Sequence, residues 1–251
     1  MLSAVIITKN EETKIRGTIR SLDFCDEVIV VDDYSTDQTT QIAKTSGARI
    51  YKRSLNGNFA AQRNFGLAKA RGDWVLFLDT DETVPPPLAQ EIIRKLAKPG
   101  ETVGFYFKRL DYFLGKPLRH GETGSVRLVR LARKDTGLWH RSVHETWSLS
   151  GPTKTISHPL HHHPHPDITS FLATINAYTT IEAKLRAASG ARFNLFACLF
   201  YPPLKFLYNY FIKLGFLDGF PGLVMAVVMS LHSLCLRVKL YEVTRPNSLP
   251  S

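Results

Sequence analysis

The first hundred residues alternate between short apolar runs and helix-like segments, a pattern that few architectures satisfy. "SAVIIT" (3–8), "EVIVVD" (27–32), "ARIYKR" (48–53) and "DWVLFLD" (73–79) read as strands. Residues 12–22 carry Ile15, Ile19 and Leu22 at helical spacing; 36–46 reads as a helix stopped by Gly47, and 59–70 as one ending at Gly72. Pro85–Pro87 open a fourth helix to about Ala97, since proline is tolerated in a first turn. Strands this apolar, separated by helices, predict parallel βαβ units with both sheet faces covered. In such sheets ligands bind beyond the carboxyl ends of the strands. The stretches to read are therefore "TKNEE", "DDYSTDQT" and "DTDE", all expected at one edge.

From about 101 to 157 the pattern loosens, with short strands such as "VGFYFKR" and "SVRLVRLAR" among glycine-rich turns. It reads as the second half of the same domain, suited to holding an acceptor. A His/Pro stretch, "HPLHHHPHP" (158–166), precedes a helical segment from Ile168 to about Ala188. Residues 193–241 then turn aromatic and aliphatic, with scattered Lys and Arg. No internal repeat is present.

Charge narrows the partners. With 32 Lys+Arg against 22 Asp+Glu, the net charge of +10 favours nucleic acid, an anionic membrane or phosphorylated substrates. A nucleic-acid-binding protein is the non-enzyme alternative, but the basic residues are dispersed, no such motif occurs, and carboxylates crowd the expected ligand edge. Cys25, Cys198 and Cys235 are far apart, which argues for reduced thiols in a cytoplasmic compartment and against a zinc site. "MLSAVIITKN" has neither the basic n-region nor the apolar h-region of a signal peptide, so export is not expected.

Asp79, Asp81 and Glu82 emerge directly from an apolar strand. Like charges this close raise each other's pKa unless something positive intervenes. Either water solvates them near the next helix N-terminus, or a cation belongs there. "VVDDYSTDQT" adds carboxylates at a second strand end and shifts the balance towards the cation.

"VIITKNEE", "VIVVDDYSTDQT" and "AAQRNFGLAKARGDWVLFLDTDE", in that order, resemble the family 2 glycosyltransferases, whose fold is the nucleotide-sugar-binding GT-A type. "RLVRLARKDTGLWHRSVHE" and "LHHHPHPDITSFLATINAYTTIEA" are similar to the bacterial branch that builds lipopolysaccharide cores. The resemblance implies an α/β fold with a mixed, mainly parallel sheet. A catalytic domain is expected over 1–166 (1–100 binding the nucleotide sugar, 101–166 on the acceptor side), with a C-terminal helical region over 167–251. It implies transfer with inversion of a hexose, glucose above all, from UDP to a lipid-linked glycan. A polyprenyl phosphate or another glycan is the alternative acceptor.

Mg²⁺ or Mn²⁺, both hard ions, suits carboxylate and diphosphate oxygens and would stabilise the leaving group. By resemblance Asp81 is its direct ligand, and Asp79 points to the sugar or ribose while sharing in the metal site. Thr8, Asn10 and Glu11 would line the nucleotide pocket, Asp33 would meet the base, and Arg63 would approach the diphosphate or base. Asp32, pointing to the opposite face of its strand, has a lesser role, and Ser35 and Asp37 read as a turn and a helix cap. Inversion needs a carboxylate that takes the acceptor proton. Glu145 is the expected base with His144 orienting it, and Glu122 in "RHGETG" is its rival. Of the histidines at 158–165, the spacing rules out a helical zinc site; by alignment on "HxxxxD", His162 reaches the metal–diphosphate and the others face solvent.

The apolar 193–241 stretch needs a cover. Pro202–Pro203 and "DGFPG" are expected to break it into short helices, and Gly219–Leu236 is about the minimum for a span. Lys205, Lys213, Arg237 and Lys239 flank the apolar pieces, as expected of helices lying in an anionic interface. Monotopic attachment to the inner face of the cytoplasmic membrane is the expectation, with a buried core helix or a homodimer interface as the alternative.

Overall fold

A computed structural model describes residues 1–142 and 145–245. The chain divides into two units: residues 1–110 with 126–162, and residues 111–125 with 163–251. The expected boundary after residue 166 therefore differs in two respects. The first unit ends at His162, and 111–125 groups with the helical region rather than with the acceptor-side half.

In the first unit, β1 (Leu2–Thr8), β2 (Glu27–Asp32), β3 (Arg49–Lys52) and β4 (Trp74–Asp79) alternate with α1 (Ile15–Arg20), α2 (Thr39–Thr45) and α3 (Phe59–Lys69). Then follow β5 (Glu82–Thr83), α4 (Pro86–Ala97), β6 (Gly104–Phe113), β7 (Lys116–Leu118, in the second unit) and β8 (Arg127–Arg133). Four short strands complete the set: β9 (Gly137–His140), β10 (Thr146–Leu149), β11 (Thr153–Thr155) and β12 (Leu160–His162). The strand order is β3-β2-β1-β4-β8-β6-β12-β5. β1 pairs in parallel with β2 and β4, and β2 with β3, whereas β8 runs antiparallel to β4. The β1–β4 region thus has the parallel βαβ order expected from its apolar strands.

Both faces of this sheet are covered. Ile6, Val30, Leu76 and Leu78 pack beside Ile15, Leu88 and Ile92 in one layer, and Val5, Val31, Val75 and Phe77 beside Leu67, Trp139 and Trp147 in the other. Gly66 shows how closely α3 approaches: a Cβ there would stand 2.5 Å from Val5 Cγ1. The glycine of "QRNFG" is thus a packing requirement.

Two short elements escaped the sequence pattern. β12 lies within the His/Pro stretch and pairs antiparallel with the two-residue β5, His162 opposite Glu82. Three residues are too few to show a strand period, so the pairing partner alone defines them.

In the second unit, α5 (Ile168–Ala188), α6 (Leu195–Leu207) and α7 (Gly219–Thr244) pack together, α7 against both others. Phe113 and Leu118 join Phe171, Ile175, Met225 and Val228 in its core. The expected break at "DGFPG" occurs, α7 starting at Gly219 (φ +67°) after the turn at Gly215–Asp218, but the one at Pro202–Pro203 does not. α6 runs through Pro202–Pro203, whose missing N–H groups cost it two backbone donors. Its packing on α7 holds it, and Ser230 Oγ donates to the Pro202 carbonyl at 2.7 Å. The helix then widens to a π-type turn at Tyr208–Ile212. Pro221 falls in the first turn of α7, where no intrahelical N–H is needed, so the piece that follows the turn is one 26-residue helix and not a short one. Gly215–Thr244 is long and apolar enough to cross a bilayer by composition, with a mean hydropathy of 1.8.

Candidate active site

The site is assembled at the carboxyl end of β4. Asn58 caps α3, its side chain accepting from Ala61 N at 2.9 Å, and this sets the rotation of the helix. Asn64 then locks β9 onto α3 with a reciprocal pair, Nδ2 to the Trp139 carbonyl and Trp139 N to Oδ1, both 2.9 Å. One turn of the same helix carries Arg63 into the interior, where its side chain is only 2% exposed. Its guanidinium carbon lies 4.7 Å from the centre of the Trp139 ring, a desolvated cation–π contact.

Arg63 bridges two carboxylates. Its Nη2 donates to Asp79 Oδ1 at 2.8 Å, and its Nε donates to Glu145 Oε1 at 2.9 Å. Arg130, from the middle of β8, holds the other side: Nη2 donates to Asp79 Oδ2 at 2.6 Å and to Glu82 Oε1 at 2.8 Å. Glu82 Oε2 accepts from the Asp79 backbone N–H at 3.0 Å. Burial alone would push Asp79 up, but the Arg130 and Arg63 guanidiniums outweigh it and hold its carboxyl well below the usual range. Glu82, wholly buried, is pushed up by burial and by the Asp79 charge, against the pull of Arg130. Arg63 Nη1, Arg130 Nε and Thr8 Oγ1 are buried without a hydrogen-bond partner. Unpaired polar atoms of this kind are expensive in a finished core and ordinary in a site that awaits a ligand.

Asp81 stands apart from the arginines. The β5–β12 pairing brings His162 Nε2 to 3.4 Å from its Oδ2. A hard divalent ion bound through one or two protein groups, keeping waters and taking phosphate oxygens, fits such a pair. Among the described residues no group of three or more His, Cys, Asp or Glu side chains converges, so an all-protein cage is not what this site offers. Asp79 differs from Asp81 here, because arginine occupies both of its oxygens.

The other expected site residues divide between two strand ends. Thr8 ends β1, its hydroxyl in the unpaired set above. Asn10, at φ +53°, accepts from Thr36 N through Oδ1 at 2.8 Å. Glu11 N donates to Thr39 Oγ1 at 2.7 Å, and its carboxylate meets Lys14 at 3.3 Å. Asp33 pairs with Lys9 Nζ at 2.9 Å and accepts from Leu55 N at 3.0 Å. Asp32, fully buried, accepts from the Ser35 amide and hydroxyl, while Asp37 accepts from Thr39 N at 3.0 Å at the start of α2.

Glu145 lies in the connection between β9 and β10, immediately before Thr146. His144 lies outside the described residues. Glu122 belongs to the second unit, 3.1 Å from Lys205. Of the remaining histidines, His158 and His163 are exposed as expected, though His158 Nδ1 meets Glu91 at 2.7 Å and His163 stacks on Tyr112; His161 and His165 are half-buried, His165 stacked on Phe171.

Sequence reasoning missed Arg130 and gave Glu82 no role of its own. The available signal was a charge in the middle of "RLVRLAR", flanked on both sides by residues that become core. A buried charge of that kind implies a buried partner of opposite sign.

The model of glycosyl transferase family 2 matches residues 3–158, and the chain belongs to that family. The fold is accordingly of the GT-A type, and the protein is a glycosyltransferase. It is 30% identical over 251 residues to the lipopolysaccharide core biosynthesis glycosyltransferase LpsC of Rhizobium meliloti (strain 1021), covering 96% of this chain and 92% of that one. It is 28% identical to an uncharacterized glycosyltransferase of Rickettsia typhi, covering 97% and 87%. Among solved structures, TarS of S. aureus shares 18% identity at a TM-score of 0.47, covering 72% of this chain and 39% of that one. The glucosyl-3-phosphoglycerate synthase of Mycobacterium tuberculosis, solved with Mn²⁺, uridine-diphosphate-glucose and phosphoglyceric acid, shares 30% at a TM-score of 0.36, covering 46% and 44%.

Proposed function

We propose that this glycosyltransferase moves a hexose, glucose above all, from UDP to a lipid-linked glycan of the lipopolysaccharide core, with inversion. The observation that carries the proposal is the arginine-held pair of carboxylates beside the Asp81–His162 pair. Together they supply cationic groups for a diphosphate and oxygen and nitrogen donors for a hard ion. The likeness to LpsC along nearly the whole chain supports the lipopolysaccharide assignment.

In this reading Asp81 and His162 hold Mg²⁺ or Mn²⁺, which when bound neutralises charge on the departing diphosphate. Thr8, Asn10 and Glu11 line the nucleotide pocket and Asp33 meets the base. Arg63 stands at the diphosphate, and Asp79, kept ionised by its two arginines, addresses the ribose or sugar. Glu145 takes the acceptor proton. Arg63 Nε donates to its Oε1 at 2.9 Å, which fixes the orientation of the carboxyl group. The exposed apolar surface of α6 and α7 attaches the enzyme peripherally to the inner face of the cytoplasmic membrane, where a lipid-linked acceptor resides.

The test combines a donor screen with one substitution. UDP-glucose with Mn²⁺ or Mg²⁺ should raise the melting temperature more than GDP- or ADP-sugars do. Asp81→Asn should keep the fold, remove the metal-dependent part of that rise and abolish turnover. Full activity of the variant, or of the wild type in excess EDTA, would overturn the metal-dependent mechanism.

A further inference from the structure

The second unit has its own pocket. Glu122, Ser125, Tyr201, Lys205, Asn209 and Lys213 line it, together with Leu204 and Tyr208, around a volume of about 420 Å³. Within its lining Tyr201, Leu204 and Tyr208 are exposed, and elsewhere α6 also exposes Phe196, Leu199, Phe200 and Leu207, Phe196 by 74%. Residues 193–217 carry only two charged side chains, Lys205 and Lys213, and both line this one pocket.

A helix face that merely floats in an anionic interface distributes its basic residues along its flanks. Here they converge. Lys205 pairs with Glu122 at 3.1 Å, and the buried Asn209 donates Nδ2 to the same carboxylate at 3.4 Å. Among the described residues Lys213 meets no carboxylate; its ammonium stands 5.8 Å from the Tyr208 ring centre. The π-type turn at Tyr208–Ile212 follows directly on α6 and carries Asn209, the kind of helix irregularity often found at functional sites. Tyrosines at the rim, apolar on one end and polar on the other, suit the level of lipid headgroups.

We propose that this pocket seats the headgroup of one anionic phospholipid. Lys205 and Lys213 contact its phosphate, Asn209 and Ser125 supply hydrogen-bond donors, and the exposed α6 side chains lie against the acyl chains. Two lysines against the single carboxylate of Glu122 leave the pocket cationic, and the exposed Tyr201, Leu204 and Tyr208 in its lining point to an occupant with an apolar part: a soluble anion has no use for them. The proposal rests on the membrane reading above, but it concerns one seat and not the whole face.

The test uses the full-length protein and sedimentation with phosphatidylcholine vesicles, with and without phosphatidylglycerol. Wild type should bind the anionic vesicles more tightly. At about fivefold per lysine, Lys213→Ala should weaken that binding about fivefold, and Lys205→Ala/Lys213→Ala about thirtyfold. Lys184→Ala/Arg192→Ala removes the same charge from exposed positions of the same unit outside the pocket, and should cost less than about threefold. Equal losses in the two double variants would mean diffuse attraction and overturn the seat. Equal binding to both vesicle types would overturn it while leaving membrane attachment intact, and binding to neither would remove both. Soluble glycerol phosphate binding as tightly as the vesicles would assign the pocket to a free anion and overturn the lipid. None of these outcomes touches donor binding, which the UDP-glucose melting shift reads independently.

Discussion

The two units place their charged and apolar groups in opposite ways. The first buries charge: Arg63, Arg130 and Glu82 sit inside it, each against an opposite partner. The second exposes apolar surface: Phe196, Phe200, Ile212 and Phe220 are each more than half open. Both arrangements are costly in a free-standing soluble domain, the first because ions lose their hydration, the second because apolar surface meets water. The difference teaches where each unit expects its missing partner. A polar ligand completes the first from within, and an apolar phase covers the second from outside.

The largest effect that separates the units should come from the two rival glutamates. Glu145→Gln should lower kcat by roughly two to four orders of magnitude while UDP-glucose still raises the melting temperature. Glu122→Gln should leave the chemical step nearly unchanged. The reverse result in steady-state assays would move the base to the second unit and break the comparison.

Next comes the buried network itself. Arg130→Met leaves Asp79 and Glu82 without their shared cation, at a cost of about 3–5 kcal/mol, readable by urea unfolding. The sign with pH follows from the same contacts. Without Arg130 the folded state holds a proton on Glu82 more tightly than the unfolded chain does, and Asp79 keeps only Arg63. The deficit should therefore shrink as pH falls below neutral. A deficit that grows on acidification would contradict the network.

A smaller effect is expected at Glu91, which pins the His/Pro stretch to α4. Its carboxylate accepts from Ser157 N at 3.0 Å, His158 N at 2.9 Å and His158 Nδ1 at 2.7 Å. Burial opposes ionisation, but these donors outweigh it and bring its pKa down to about 2. A depressed carboxylate contributes stability above its unfolded value and loses it as pH falls through the folded one. Glu91→Gln should thus cost on the order of 3 kcal/mol near neutral pH. The gap to wild type should narrow from about pH 4.5 and close towards pH 2. A gap independent of pH over that window would show that hydrogen-bond geometry, not charge, does the pinning.

The smallest change in stability should come from the exposed face. Phe196→Ser removes a side chain that is already open to solvent, so its melting curve in detergent-free buffer should shift by no more than about 0.5 kcal/mol. Sedimentation with phosphatidylglycerol vesicles should nevertheless weaken. A large loss of stability would mean that protein, not lipid, covers this surface.

Much of the first unit was legible in the sequence because its signals are local. An apolar run of six residues followed by a turn declares a buried parallel strand, and "QRNFG", "VVDDYSTDQT" and "LFLDTDE" sit at the strand and helix ends that such runs define. The sequence alone therefore determined the α/β order, the family and the edge at which the carboxylates gather. Tertiary structure alone decided what those carboxylates meet. Arg130 reaches Asp79 across the β4–β8 pairing, and His162 reaches Asp81 through a three-residue strand held between β6 and β5. It also decided that α6 runs through two prolines, since packing on α7 outweighs the missing donors, and that Lys205 and Lys213, the only two charges within residues 193–217, share one pocket. Contacts between residues far apart in the chain leave no periodicity behind. Only the folded backbone brings them within the few ångströms over which a hydrogen bond or an ion pair acts.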